Sequence, residues 1–565
     1  MAEVDIQYAR SDGPDTTLVV DLDAWPLSLD PFHVVDFNQA TVLDALVDPL
    51  TRDRADGPGT EPSALVSVTP SDGPGEGHTW LLRPAPGQRW GDGSPVRPEE
   101  IAAGVHRAWG PTCLPLPAAH DPHGTGSPVT TRVVPDPDDG APVVELRSAL
   151  PLPYLPQLLA FPGAAPVRET PDGGWTASGP FRPVLADRAR GRIELRRKPS
   201  RRTGPGTPRR LAFQVYADRS AAFAALADGR LDLSVNTGLT PDRFTEAAAR
   251  PGATVRALSM ACQLWVRPGL DSPLATPAGR RAFSAGFDRW SAGARLCGAA
   301  LPLPRYSALW EPRAGGSDDG GPAGPSLPGR LPPPGRRAEI ALSYADFAPN
   351  GEAAALVASD LQARFGHPVR LRPLSYEAFA RAAATLDYEL LYAINPAPLA
   401  HVAGFLTGFH STAGQARALG FAEPAVDAAL DRALGAAGGP ESEQAWREAE
   451  AVVLDHAPVV PLFQVNSVTL TGPGHPAPAV AATGALPLDD LTRTAVAGTR
   501  AASLDDLTRT AVAGTRAASL DDLTRTAVPG TRAASLDDLT RTAVAGPRAA
   551  SLADPARTAV PVRDH

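Results

Sequence analysis

Residues 78–109 read HTWLLRPAPGQRWGDGSPVRPEEIAAGVHRAW. The opening HTWLLRP is an apolar-rich run closed by proline, the pattern of a strand. The Gly- and Pro-dense middle reads as a turn. At Pro98 the periodicity changes. PEEIAAGVHRAW places proline at a helix start and carries Ile101, Val105 and Ala108 on one face. A strand, a turn and an amphipathic helix within 32 residues set the pattern for the chain.

The alternation continues outward. Strands are expected at 16–22, 192–197, 210–216, 231–236, 338–344, 368–374 and 388–394. Helices are expected at 220–229, 277–289, 351–366 and 442–457. Strands interleaved with helices argue for an α/β fold rather than a bundle or a sandwich. The stretch RRTGPGTPR (201–209) reads as the tip of a hairpin between two strands.

Composition narrows the chemistry. The chain has 565 residues, enough for several domains or lobes, with 43% hydrophobic and only 20% charged residues. Lys198 is the single lysine and is followed by Pro199, so a phosphate-binding Gly-Lys-Ser/Thr loop and most lysine-based catalysis are excluded. A net charge of −9 speaks against a nucleic-acid partner. Cys113, Cys262 and Cys297 lie far apart and form neither a zinc motif nor a disulfide framework. No apolar run is long enough to span a membrane, and the first residues carry no basic-then-apolar leader or lipobox. The chain as written is thus expected to be cytoplasmic, and extracytoplasmic if its true start lies upstream.

Two segments stand apart. Residues 313–337 are a Gly/Pro-rich linker. From Leu488 the unit LDDLTRTAVAGTRAAS recurs at Leu504, Leu520 and Leu536 and, degraded, at Leu552. Each unit carries little apolar surface for a solenoid repeat. Residues 487–565 are expected to form a disordered tandem-repeat tail, and residues 1–15 an N-terminal extension.

Six segments, in order, resemble the family 5 extracellular solute-binding proteins, the peptide- and nickel-type binding components of ABC importers. TLVVDLDAWPLSLDP (17–31) is similar to the family's opening strand and Leu-Asp-Pro corner, and 78–109 to its strand, Asp-Gly-Ser-Pro turn and acidic helix start. SGPFRP (178–183) with GRIELRRKPS (191–200), AAFAALADGRLDLS (221–234), RRAFSAGFDR (280–289) and AWREAEAVVLDHAPVVPLFQ (445–464) follow. The resemblance implies a two-lobed periplasmic-binding-protein-like fold of type II with an extra subdomain and lobes discontinuous in sequence. Lobe I would comprise 16–34, 176–262 and 458–486, the subdomain 35–175, and lobe II 263–457. The strands at 17–22 and near 460–466 would share a lobe.

The resemblance also points to a cleft lined by Trp25, Asn236, Thr237, Gln263, Trp265, Arg267, Tyr392 and Asn395. Aromatic walls with a few polar groups suit such a site. Arg267 stands where the family usually has asparagine and could clamp a carboxylate. The segment LLYAINPAP (390–398) lacks the aspartate that takes a peptide's amino group in oligopeptide binders. The two departures together suggest an anionic ligand group over a free amine. The competing reading for Trp25 and Trp265 is core packing, and for Arg267 a structural ion pair. His120 and His123, around Asp121, read as a surface loop rather than a metal site. Ten positive residues between Arg188 and Arg210 read as a solvated loop.

No nucleophile elbow, zinc-protease helix or dinucleotide fingerprint occurs. The expectation is a non-enzymatic, monomeric binder without cofactor or metal, with no nucleic-acid partner and no membrane insertion. It would capture a peptide or small polar molecule for an ABC permease. The alternative is a cytosolic metabolite-binding or biosynthetic accessory protein, or an enzyme, that has recruited the same fold.

Overall fold

The computed structural model describes residues 17–488, apart from short stretches in loops and the longer stretches 109–128 and 310–338. The expected N-terminal extension, the Gly/Pro-rich linker, the His120–His123 loop and the repeat tail beyond Leu488 lie outside the described residues.

One eleven-stranded sheet runs through the molecule. Its first half joins Phe181–Asp187, Arg192–Arg197, Arg210–Val215, Thr17–Leu22, Leu233–Asn236 and Val460–Thr471. Its second half continues through Thr254–Val266, Leu390–Pro396, Ile340–Ala345 and Val369–Leu374, with Ala300–Pro302 added beside Val460–Thr471. Thr17–Leu22 lies parallel between Arg210–Val215 and Leu233–Asn236. The helix Arg219–Ala227 makes the crossover between those two neighbours, capped by Asp218, whose side chain accepts from Ala221 N. The far end repeats the device. Ile340–Ala345 pairs in parallel with both Val369–Leu374 and Leu390–Pro396, joined by the helices Asn350–Phe365 and Tyr376–Thr385. The hairpin expected around 201–209 is present as the antiparallel pair Arg192–Arg197 and Arg210–Val215.

Two long strands belong to both ends of this sheet. Thr254–Val266 pairs over Thr254–Ala257 with Thr469–Asn466, and over Met260–Val266 with Pro396–Leu390. Val460–Thr471 pairs over Val468–Thr471 with Asn236–Leu233. The strands therefore cross from one lobe to the other, and a boundary at Cys262/Gln263 falls inside one of them. Their register shifts between Ala257 and Ala261 and again between Cys262 and Gln263. Such irregularities leave backbone groups without ladder partners. A polar side chain of the last strand supplies one: Gln464 Nε2 donates to Leu258 O at 2.9 Å, and in the regular stretch Ser467 Oγ donates to Arg256 O at 3.3 Å. With Asn466 Nδ2 donating to Gly298 O at 2.6 Å, these bonds engage the buried side chains of Gln464, Asn466 and Ser467 in a central strand.

The subdomain is a four-stranded antiparallel sheet, ordered Leu65–Pro70, Thr79–Pro84, Pro142–Ser148, Val129–Pro135, with the helix Pro98–Ala108 packed on it. The stretch 78–109 folds as its periodicity requires. Gly93 takes φ +86°, and Asp92 Oδ1 accepts from Ser94 N at 2.8 Å, closing the turn. Glu100, in the first helical turn, reaches back to Arg97 N at 2.8 Å and also accepts from Trp90 Nε1 at 2.9 Å. Arg168 stacks over the Trp90 ring at 4.5 Å and pairs with Glu100 at 2.6 Å. The most recognisable stretch of sequence is thus an architectural knot.

The basic segment 188–210 is not wholly solvated. Arg197 and Lys198 are buried, with Lys198 Nζ donating to Ala177 O and Arg197 Nε to Pro208 O. Burial lowers the Lys198 ammonium to about 8 despite nearby Asp48.

Candidate binding cleft

A cavity opens where the two long strands pass between the lobes. It is small, with internal room of about 10 Å³, the space of about one water molecule. Met260 and Cys262 line it from one strand, Tyr392 and Ile394 from the neighbouring one, and Val465 from the other long strand. The strand period explains the selection: Cys262 stands opposite Ile394 and Leu264 opposite Tyr392, so alternate residues share a face. Thr237, Ala299, Ala300, Phe347, Pro349 and Asn350 complete the lining. The Ala348–Pro349 peptide beside it is cis.

Most polar groups at this cavity have protein partners. Thr237 Oγ1 donates to Asp23 Oδ2 at 2.9 Å, and Thr237 N donates to the same atom at 3.3 Å. Arg219 Nη1 donates to Asp23 Oδ1 at 3.3 Å and to Asp21 Oδ2 at 3.2 Å. Asp21 also accepts from Ser234 Oγ at 2.8 Å and Val235 N at 3.1 Å. Burial still dominates and pushes the Asp21 carboxyl up to about 6. Cys262 and Tyr392 share a side-chain hydrogen bond, and burial raises the thiol to about 12. A thiol so raised is not a nucleophile near neutral pH. Asn350 is buried, and its Nδ2 donates to Ala345 O at 3.1 Å.

Of the residues expected to line a cleft, Thr237 and Tyr392 meet at this cavity. Asn236 precedes Thr237 at the end of its strand, opposite Val468. Gln263 and Trp265 point to the opposite face of the sheet, where Trp265 Nε1 donates to Gln263 Oε1 at 2.9 Å and Gln263 Nε2 to Tyr306 OH at 3.1 Å. Both are fully buried. Asn395 shares their side of the pleat and its Nδ2 donates to Gln415 Oε1 at 3.1 Å. Trp25 is half-buried against the lobe I core. Arg267 follows the end of its strand, five residues beyond Cys262 and thus about 16 Å along it. Its backbone N donates to Glu389 O at 3.0 Å, and its guanidinium lies near Tyr388. It stands apart from the cavity.

Residues that the sequence did not single out complete the site. Phe347 and Pro349 come from the loop after the strand Ile340–Ala345 and Asn350 opens the helix that follows it, and their only sequence cue is that segments beyond the carboxyl ends of parallel strands hold ligands. Met260 and Val465 carry no cue beyond apolarity.

The sheet shared by two lobes, the double crossover and the cavity between them define a two-lobed periplasmic-binding-protein-like fold. Solved structures share it over most of their length. The chain is similar to the murein tripeptide binding protein MppA of Escherichia coli, with a TM-score of 0.66 and 18% identity over 84% of this chain and 97% of that one. Haemophilus influenzae OppA in complex with RPPGFSPFR gives 0.65 and 17%, over 84% and 98%. AgaA in complex with agropinic acid, from A. tumefaciens R10, gives 0.59 and 16%, over 81% and 94%. No protein-family model matches the sequence, and no curated protein matches it. Among the described residues, no helix is long and apolar enough to cross a membrane, and no group of three or more His, Cys, Asp or Glu could hold a metal ion.

Proposed function

We propose that this chain is a substrate-binding component of an ABC-type import system, related to the family 5 solute-binding proteins, and that it captures a peptide-like or other small molecule between its lobes without chemical conversion. The observation that carries the reading is the position of the cavity. Thr237 reaches it from lobe I, while Phe347, Asn350, Tyr392 and Ile394 reach it from lobe II. A molecule seated there touches both lobes and favours the closed arrangement by the free energy of those contacts. The fold's use by proteins solved with a nonapeptide and with agropinic acid supports a small molecule as ligand as well as a peptide. An ABC permease would be the partner, with the site acting on one monomer at a time.

The test is calorimetric titration of the full chain with di- to pentapeptide mixtures and with small organic acids, paired with small-angle scattering. Saturable binding with a smaller radius of gyration is the expected result. A substrate that turns over, or binding that leaves the two lobes unmoved, would overturn the reading.

A further inference from the structure

We propose that Tyr154, His401 and Trp446 form a proton-sensitive latch, which holds the subdomain to lobe II while the lobes are closed and lets go when the His401 imidazole becomes imidazolium. This goes beyond the binding-protein reading and rests on it only for the lobes being able to part.

The contact joins two bodies that closure must bring together. The subdomain is fastened to lobe I. Its helix Phe37–Leu46 contributes Val42, Leu43 and Leu46 to the lobe I core. Arg201 of the basic segment pairs with Asp48, and Thr483 Oγ1 donates to Asp53 Oδ2 at 2.7 Å. From lobe II comes His401, stacked on Tyr154 with ring centroids 5.2 Å apart, and Trp446, which meets both rings edge-on. A Cβ at Gly438, just ahead of the Trp446 helix, would stand 3.2 Å from Pro153 Cβ, so the two backbones also meet here. When lobe II swings about the long strands, the rings on the two sides of this seam part.

His401 is held neutral at the seam. Its Nδ1 accepts from Ala403 N at 3.1 Å, which puts the ring proton on Nε2. A second proton would sit on Nδ1 and face that N–H donor to donor. No acid stands ready to receive it. Residues 149–160 and 394–406 contain no Asp, Glu, Lys or Arg. Their other titratable group is Tyr154, whose hydroxyl is held by burial well above its ordinary range. On the buried face of the helix Gly439–His456 the charged group is Glu450, whose Oε1 is taken by Ser307 N at 2.8 Å. Burial accordingly lowers His401 from 6.5 to about 4. The residue is partly exposed, so a proton reaches it before the lobes part. In the parted arrangement the ring regains water and its ordinary affinity, and acid therefore shifts the balance toward parting.

The test is hydrogen exchange of the full chain at pH 7.5 and 5.5, corrected for the intrinsic rate, on peptides covering 151–160 and 399–406. Parting is expected to be about tenfold more frequent at pH 5.5. Both peptides then lose about tenfold in protection, while the helix Asn350–Phe365 keeps its own. Small-angle scattering of the same samples is expected to give a larger radius of gyration in acid. His401→Asn keeps an acceptor for Ala403 N and takes no proton, so its protection and radius are expected to be alike at both pH values.

Unchanged protection in the two peptides overturns the latch, as does a loss shared equally by the helix. Higher protection in acid, which rings gripping an imidazolium would give, overturns it too. So does lost protection without a larger radius, or a His401→Asn variant that opens in acid as the parent does. The comparison on the unaltered chain decides if that variant does not fold. If the chain opens in acid yet binds no peptide or organic acid, the importer reading fails and the latch stands.

Discussion

Arg219 Nη1 lies 3.2 Å from Asp21 Oδ2, and that carboxylate has no solvent exposure. The pair ties the helix Arg219–Ala227 to the first strand and, through Asp23, orients Thr237 at the cavity. Removing one partner of a buried pair leaves the other charge uncompensated. Arg219→Ala is expected to cost about 3 kcal/mol at pH 7.5. The cost shrinks at pH 5, where Asp21, raised to about 6 in the folded protein, takes a proton. Urea denaturation at the two pH values checks it, and a loss that is equal at both would contradict it.

Asp44 gives a second pH dependence. Burial pushes its carboxyl to about 7, against the Leu486 N–H at 3.3 Å and Arg52, which favour the charged form. Its folded value exceeds its unfolded value, so the folded chain holds the proton more tightly. Stability from this group is therefore greatest below pH 4 and falls as pH rises through 7. Asp44→Asn is expected to raise Tm by about 2–4 °C at pH 8 and to leave it nearly unchanged at pH 4. His401 works in the opposite sense. Burial lowers it to about 4, so its contribution is lost as pH falls from 6.5 toward 4.

Tyr154 of the subdomain stacks on His401 of lobe II at 5.2 Å, and Trp446 meets both rings edge-on at 6.2 and 5.6 Å. The Trp446 indole N–H is buried without a hydrogen-bond partner. Its value therefore lies in its ring. Trp446→Phe is expected to cost less than about 1.5 kcal/mol, and Trp446→Ala about 3–5 kcal/mol. Thermal melts of the two variants distinguish ring packing from a hidden polar role, which would make them alike.

Arg267→Ala separates the cavity from the end of its strand. The cavity-lining residues do not include Arg267. Ligand affinity is expected to stay within about twofold, since no charge-assisted contact of the usual 1.5–3 kcal/mol is lost. A tenfold loss in titration would restore the arginine as a carboxylate clamp.

Leu486 and Leu488 are buried in the lobe I core. A chain ending after Leu488 is expected to melt like the full protein. One ending after Thr483 is expected to lose roughly 3–5 kcal/mol, because two leucines leave a packed site. Equal melting of the two truncations would show that this segment contributes nothing.

Periodicity carried the elements well and the site less well. Pro98, Glu99 and Glu100 announced a helix start, and the helix begins there. Thr254–Val266 was harder to read, because a strand buried on both faces shows no alternation, and only Gln263, Trp265 and the following Arg267 stood out. The same lack hid which side chains face the cavity. Trp265 and Arg267 looked like site residues by type, yet a one-residue step in a strand reverses the face, and Cys262 fell on the cavity side instead. Lys198 could not be told from a solvated charge by its arginine-rich surroundings, since its acceptor, Ala177 O, is 21 residues away. Asn350 gave no signal because its place at the cavity depends on its bond to the Ala345 carbonyl and on the path of the loop between them.

The crossing strands also set a timetable for synthesis. Val460–Thr471 lies between Leu233–Asn236 and Thr254–Val266 and joins the two halves of the sheet. At ordinary elongation rates, roughly 10–45 s separate the making of Asn236 from that of Val460. Through that interval Leu233–Asn236 presents an unpaired edge, a template for unwanted pairing. The two halves of the sheet cannot be joined on the ribosome until that strand emerges, so this edge stays open while about two-fifths of the chain is made.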